Sequence, residues 1–98
     1  MNLYATPEFK EWLSSLREWD RAQIRDRLDR IGQHSHFGDR KYLGDDLFEL
    51  RWRNGRRAYF SMMTDREGQA VLMLFGGGKN GQNRDISAAR KILEREAA

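Results

Sequence analysis

The sequence contains no cysteine. Neither a disulfide framework nor a thiolate metal site is therefore available, and the chain suits a reducing compartment. It has a single proline, Pro7, and no apolar run near the roughly 20 residues that a membrane-spanning helix requires. The opening Met1-Asn2-Leu3-Tyr4 lacks the basic cluster and apolar stretch of a signal peptide, so a cytoplasmic location is expected. Zinc-ligand spacing, a nucleophile elbow and a dinucleotide fingerprint are also missing. What is present is ionic. Charged residues make up 34% of the chain and hydrophobic ones 39%, enough for a core beneath a densely charged surface. The 98 residues suit one domain spanning 1–98. The net charge is only +3, but the basic residues are unevenly spread, and the segment Arg51 to Arg57 carries no acid.

Hydrophobic spacing divides the chain in two. Asn2 to Ala5 reads as an edge strand. Thr6-Pro7 then reads as an N-cap followed by proline at the first helical position, where its missing N–H costs nothing. Phe9, Trp12, Leu13, Leu16 and Trp19 follow at helical spacing. Asp20 with Gln23 gives a capping-box pattern for a second helix, Ile24, Leu28 and Ile31 form its apolar seam, and Gly32 is a plausible stop. From Lys41 the period becomes two: Phe48, Leu50 and Trp52 alternate with Glu49, Arg51 and Arg53. Asn54-Gly55 marks a hairpin. A strand from Arg57 to Met63, a turn at Asp65 to Gly68 and a central apolar strand from Gln69 to Phe75 follow. Gly76-Gly77-Gly78 then breaks the pattern, and Asn83 or Asp85 caps a last helix. The expected fold class is α+β: an N-terminal helical hairpin packed on a small antiparallel sheet, with a C-terminal helix.

The register of the hairpin decides which side chains share a face. A two-residue turn would place Trp52 opposite Arg57. A longer loop pairing Arg53 with Arg57 puts Phe48, Leu50 and Trp52 on the face of Ala58, Phe60 and Met62, so that one side is apolar throughout. The longer loop is therefore expected, with Arg51, Arg53, Arg57 and Tyr59 together on an open face. Guanidinium groups bind phosphate through paired donors and an aromatic ring stacks on an unpaired base, so such a face fits RNA. A solvated strand face would look the same in composition. The run Gly76-Gly77-Gly78-Lys79 could bring backbone N–H groups to an anion, or could be a flexible connection. His34 and His36 could serve as acid and base, or bind a metal with Asp39, but without further ligands at suitable spacing they read as exposed loop residues. No metal or cofactor is expected.

The ordered residues resemble a known family. Thr6, Phe9, Trp12-Leu13, Leu16, Arg27-Leu28, Ile31 and Phe37-Gly38-Asp39 match the helical half of the HigB-like addiction module killer proteins, within the RelE/ParE toxin superfamily. Leu47-Phe48-Glu49-Leu50-Arg51, Arg57-Ala58-Tyr59-Phe60, Leu74-Phe75-Gly76-Gly77-Gly78-Lys79, Gln82 and Asp85-Ile86 match its second half. The resemblance spans nearly the whole chain. It departs from the family at Arg56, where an aromatic often precedes the hairpin arginine, and at Gly78, where an acid often precedes the lysine.

The resemblance implies a RelE-like fold and the toxin of a type II toxin–antitoxin pair, a ribosome-dependent mRNA endonuclease. Its partners would be the ribosome, mRNA and a cognate antitoxin, commonly a helix-turn-helix DNA-binding protein. Carried over by position, Arg51 and Arg57 stabilise the phosphorane, and Lys79 is a base or a third electrostatic clamp. Lys41, Arg53, Arg56, Tyr59, Gln82 and Arg84 are the expected RNA-binding residues. The alternatives are a ParE-like inhibitor of DNA gyrase that cuts no RNA, and a basic RNA-binding module without catalysis.

Overall fold

The computed structural model describes residues 1–98 and has eight elements. In chain order they are β1 (Asn2–Ala5), α1 (Pro7–Ser15), α2 (Glu18–His34), β2 (Arg40–Gly44), β3 (Leu47–Arg51), β4 (Arg57–Asp65), β5 (Gly68–Gly77) and α3 (Gln82–Ala97). The strands form one sheet in the order β1-β5-β4-β3-β2. Thus β1 is the expected edge strand, and the chain begins with it rather than with the helical hairpin. It runs parallel to β5, with Leu3 opposite Val71, so the sheet is mixed where an antiparallel one was expected. No helix is long and apolar enough to cross a membrane.

Thr6 is the N-cap of α1, its Oγ1 accepting from the Phe9 N–H at 3.1 Å, with Pro7 opening the helix. The same hydroxyl donates to the Leu74 carbonyl at 2.7 Å, which ties the helix start to β5. The bounds of α2 differ from the sequence expectation. It begins at Glu18 without a side-chain cap, because the cap position is held by Arg17, whose side chain has no acceptor, while Asp20 lies inside the first turn and pairs with Arg56 at 2.8 Å. It runs past Gly32, which accepts from the Met1 ammonium at 2.7 Å and leaves room for Leu3 against the helix. It ends where Ser35 turns left-handed, at φ 56°.

Both faces of the sheet are covered. Helices α1 and α2 close one face over Phe9, Ile24, Ile31, Leu50, Ala58, Phe60, Val71 and Met73. Helix α3 closes part of the other over Leu47, Tyr59, Leu74, Ala89 and Ile92. Double burial accounts for the near-continuous apolar run of β5. β5 lies inside the sheet, but the middle strand is β4.

The glycine run belongs to this architecture. Gly76 and Gly77 are the last residues of β5, opposite Ala58 and Arg57. They form ladder, so the strand-to-helix connection is confined to residues 78–81. A Cβ on Gly76 would lie 2.3 Å from the Trp12 ring, and one on Gly77 would lie 2.1 Å from an Asp85 carboxylate oxygen. Gly76→Ala is expected to lower stability by roughly 1–3 kcal/mol, as overpacking of a close contact does. Urea denaturation checks this, and a midpoint within error of wild type would show that Trp12 yields freely.

Candidate active site

The hairpin that carries the basic residues has a longer loop than expected. Arg51 is opposite Arg57, not Arg53, and the ladder continues with Leu50 opposite Ala58 and Phe48 opposite Phe60. The slip from the expected register is two residues, which preserves the face of every side chain. Trp52 to Arg56 form the loop, held by Trp52 N–H to Arg56 carbonyl and Gly55 N–H to Trp52 carbonyl, both at 3.0 Å. Gly55 supplies the positive φ of 93° that the turn requires.

The face bearing Arg51, Arg57 and Tyr59 is not open, because α3 lies on it. Tyr59 is fully buried and cannot stack on an RNA base, which corrects the role expected for it. Its hydroxyl has no hydrogen-bond partner. Burial, and then the charges of Glu49 and Asp85, push its pKa well up. An unpaired buried hydroxyl is a cost that phenylalanine removes. Tyr59→Phe is therefore expected to leave activity intact and to change stability by between zero and about +1 kcal/mol. A clear loss of stability in thermal denaturation would mean that the hydroxyl is bonded after all.

At the centre of the face is an acid that the sequence reading passed over. Glu49 is fully buried. Its Oε1 accepts from Arg51 Nε at 2.6 Å and its Oε2 from Gln82 Nε2 at 2.7 Å, while Arg57 Nε lies 3.9 Å from Oε2. The hydrogen bond to Glu49 raises the pKa of Arg51. Three expected site residues from β3, β4 and α3 thus converge on one carboxylate. The signal in the sequence was parity: Glu49 and Arg51 are two apart on one strand and must share a face.

From this cluster the two arginines open onto a groove of about 1080 Å³ at the end of the sheet, beside the segment Ser35 to Arg40. Arg27, Arg30, Arg40, Arg51, Arg53 and Arg57 line it, with Asp39 the only carboxylate. Such a concavity concentrates positive potential and favours a polyanion. Arg27, Arg30 and Arg40 were missed because they are far from the hairpin in sequence. Arg27 is nine-tenths buried. Its Nε donates to the Phe37 carbonyl at 2.8 Å, one terminal nitrogen to Asp39 at 2.6 Å and the other to Arg51. Its guanidinium also sits 4.6 Å from the Trp52 ring centre. Arg40 lies over the Phe37 ring.

The remaining expected residues are scattered. Arg53 lines the groove, but Arg56 turns away to Asp20, and Asn54 reaches Gln23 at 3.3 Å. Lys79 is exposed, does not line the groove, and packs its stem near Gly55. Lys41 is exposed on β2, opposite Glu49 in the ladder. The Arg84 side chain is largely exposed beside Asp85, 3.7 Å away. Asp85 is not the cap of α3. Gly81 holds the cap position at φ 82°, and Asp85 is buried in the first turn, where burial raises its pKa. Of the histidines, His34 ends α2 and only His36 lines the groove.

No protein-family model matches the chain. An uncharacterized protein of Haemophilus influenzae is 36% identical over 95 residues, covering 96% of this chain and 94% of that one. Among solved structures, a free-state structure of a mutant E. coli toxin RelE has a TM-score of 0.70 at 20% identity, over 92% of this chain and 94% of that one. The toxin–antitoxin complex RelBE of E. coli gives 0.63 at 18%, over 79% and 94%. A YoeB/ParE toxin from Agrobacterium tumefaciens gives 0.59 at 16%, over 80% and 98%. The chain thus belongs to one sequence family with the Haemophilus influenzae protein, and its fold is shared with the E. coli toxin RelE.

Proposed function

We propose that this chain is the toxin of a type II toxin–antitoxin pair and acts as an endoribonuclease on translated mRNA. The observation that carries the reading is the cross-strand pair Arg51 and Arg57, opening on a groove lined by six arginines. In the reaction the 2′-oxygen bonds to the adjacent phosphorus while the bond from phosphorus to the 5′-oxygen breaks. The 2′-hydroxyl loses a proton and the leaving oxygen gains one. Negative charge builds on the phosphorane between these events, and preorganised cationic donors there are worth most. Arginine stays protonated throughout, so Arg51 and Arg57 are its stabilisers. Arg53 and the α2 side of the groove hold flanking phosphates, and exposed Lys79 adds a further cation beside the hairpin. If the ribosome presents the message with its 2′-oxygen in line, orientation supplies several kcal/mol and a strong general base is less needed.

A cognate antitoxin is the natural partner in this reading, supported by the fold shared with the toxin of the E. coli RelBE complex. The test is inducible expression in bacteria with primer extension across several messages. Growth arrest with in-frame cuts in translated messages is the expected result. Arrest with intact messages would point instead to gyrase and a DNA-cleavage assay, and normal growth at confirmed expression would remove the toxin reading.

A further inference from the structure

We propose that Glu49 is the positioning residue of a two-arginine phosphate clamp. The inference rests on the nuclease reading for its biological purpose, but its geometry stands alone. Glu49, on β3 beside the cross-strand pair Arg51 and Arg57, is fully buried, and the nearest nitrogen of each arginine to it is Nε. Arg51 Nε donates to it at 2.6 Å, and Arg57 Nε lies 3.9 Å away, in ion-pair range but without a hydrogen bond. No terminal nitrogen of either arginine is bonded to a protein acceptor, and both side chains line the groove. An acid that holds Arg51 through Nε and lies on the Nε side of Arg57 leaves the outer donor pairs of both for another ligand.

The charges lead to the same ligand. One buried carboxylate against two guanidinium groups leaves the cluster one positive charge in excess. A single phosphodiester carries one negative charge and two non-bridging oxygens, which neutralises that excess and matches paired donors. Gln82 completes the arrangement from α3: its amide donates to the other Glu49 oxygen at 2.7 Å, fixing the carboxylate plane. Glu49 itself, with no exposed surface, does not reach substrate. It acts through the arginines, as a group that holds their rotamers and keeps their donors preorganised.

The test uses the full chain and Glu49→Gln, which keeps shape and removes charge. Two readouts are needed: single-turnover cleavage on programmed ribosomes, and the Nε–H nitrogen resonances of arginine on titration with a 2′-O-methyl RNA oligonucleotide. The variant is expected to lose roughly 10- to 100-fold in rate, the usual scale for losing an orienting partner, with a smaller change in apparent KM. The Arg51 and Arg57 resonances, shifted by oligonucleotide in wild type, should no longer respond together. Glu49→Asp keeps the charge and is expected to fall between the two, which covers the case in which the glutamine variant folds poorly. Cleavage per folded molecule equal to wild type in both variants would overturn the clamp while leaving the nuclease standing. A wild type that cuts no message but shows the paired shifts, lost in Glu49→Gln, would keep the clamp and remove the nuclease. Wild-type resonances that ignore the oligonucleotide would overturn the clamp.

Discussion

Arg57→Ala is expected to lower single-turnover cleavage by roughly 10²- to 10³-fold, the cost of removing one donor to a developing oxyanion. RNA binding should weaken far less, because Arg27, Arg30, Arg40, Arg51 and Arg53 still line the groove. Stability should change little. Arg57 makes no hydrogen bond through Nε, and Glu49 keeps both of its close partners, Arg51 and Gln82, when Arg57 is gone. Arg51→Ala is a less clean probe of the chemistry. It strips the 2.6 Å partner from a fully buried carboxylate, and removing one member of a buried pair commonly costs about 3–5 kcal/mol. Lost activity there would mix unfolding with catalysis. The measurement is therefore cleavage and oligonucleotide affinity on the same Arg57→Ala preparation, with a melting curve. Binding that falls in proportion to cleavage would make Arg57 a binding residue only.

The parts of this arrangement visible in the sequence were those governed by local periodicity. The helical stripe placed Phe9, Trp12, Leu13 and Leu16 against the core, but α1 ends at Ser15 and Trp19, on α2, is exposed. The alternation from Phe48 placed its residues on the correct face, and the apolar-side argument chose the right parity for the hairpin even though the pairing fell two residues away. Parity follows from burial, whereas the length of a loop depends on contacts such as Arg56 with Asp20 and Asn54 with Gln23, which join residues more than 30 apart. The parallel pairing of β1 with β5 is equally non-local.

Tyr59 and Glu49 show where the site reading went astray. Alternation says that Glu49, Arg51, Arg57 and Tyr59 share a face, but it does not say whether another layer covers that face. The polar character of three of the four suggested water. Helix α3 buries the two nearer the middle of the sheet and leaves the two arginines at its end, where the strands meet the groove. A buried acid was thus passed over, and a buried tyrosine read as a stacking platform. The glycine run misled for a related reason. Glycine at a strand end reads as freedom of the backbone, yet Gly76 and Gly77 are there because Trp12 and Asp85 need the room.

A second large loss of stability is expected at Arg27, a residue whose sequence context is an ordinary charged helix. It is nine-tenths buried, and burial lowers its pKa. Three backbone carbonyls, at Phe37, Asp39 and Arg51, accept from its guanidinium. Those carbonyls belong to the segment after α2 and to the last residue of β3, so one side chain joins a helix, a loop and a strand end. Asp39 has a second link, since its carbonyl also accepts from the Arg51 N–H at 3.0 Å. Arg27→Met keeps most of the apolar stem and removes every donor. With each orphaned group costing roughly 1–3 kcal/mol, and water able to reach part of the groove, the expected loss is about 3 kcal/mol. For a domain of this size that lowers Tm by roughly 12–24 °C. Arg27→Lys retains the charge but has no planar fork to reach three acceptors, so it should recover only part of the loss. Because Arg51 is anchored through this network, cleavage should fall in Arg27→Met even at temperatures where the chain is folded. Equal stability of the lysine variant and wild type in urea denaturation would show that charge alone, and not the three-way bonding, is what the fold requires.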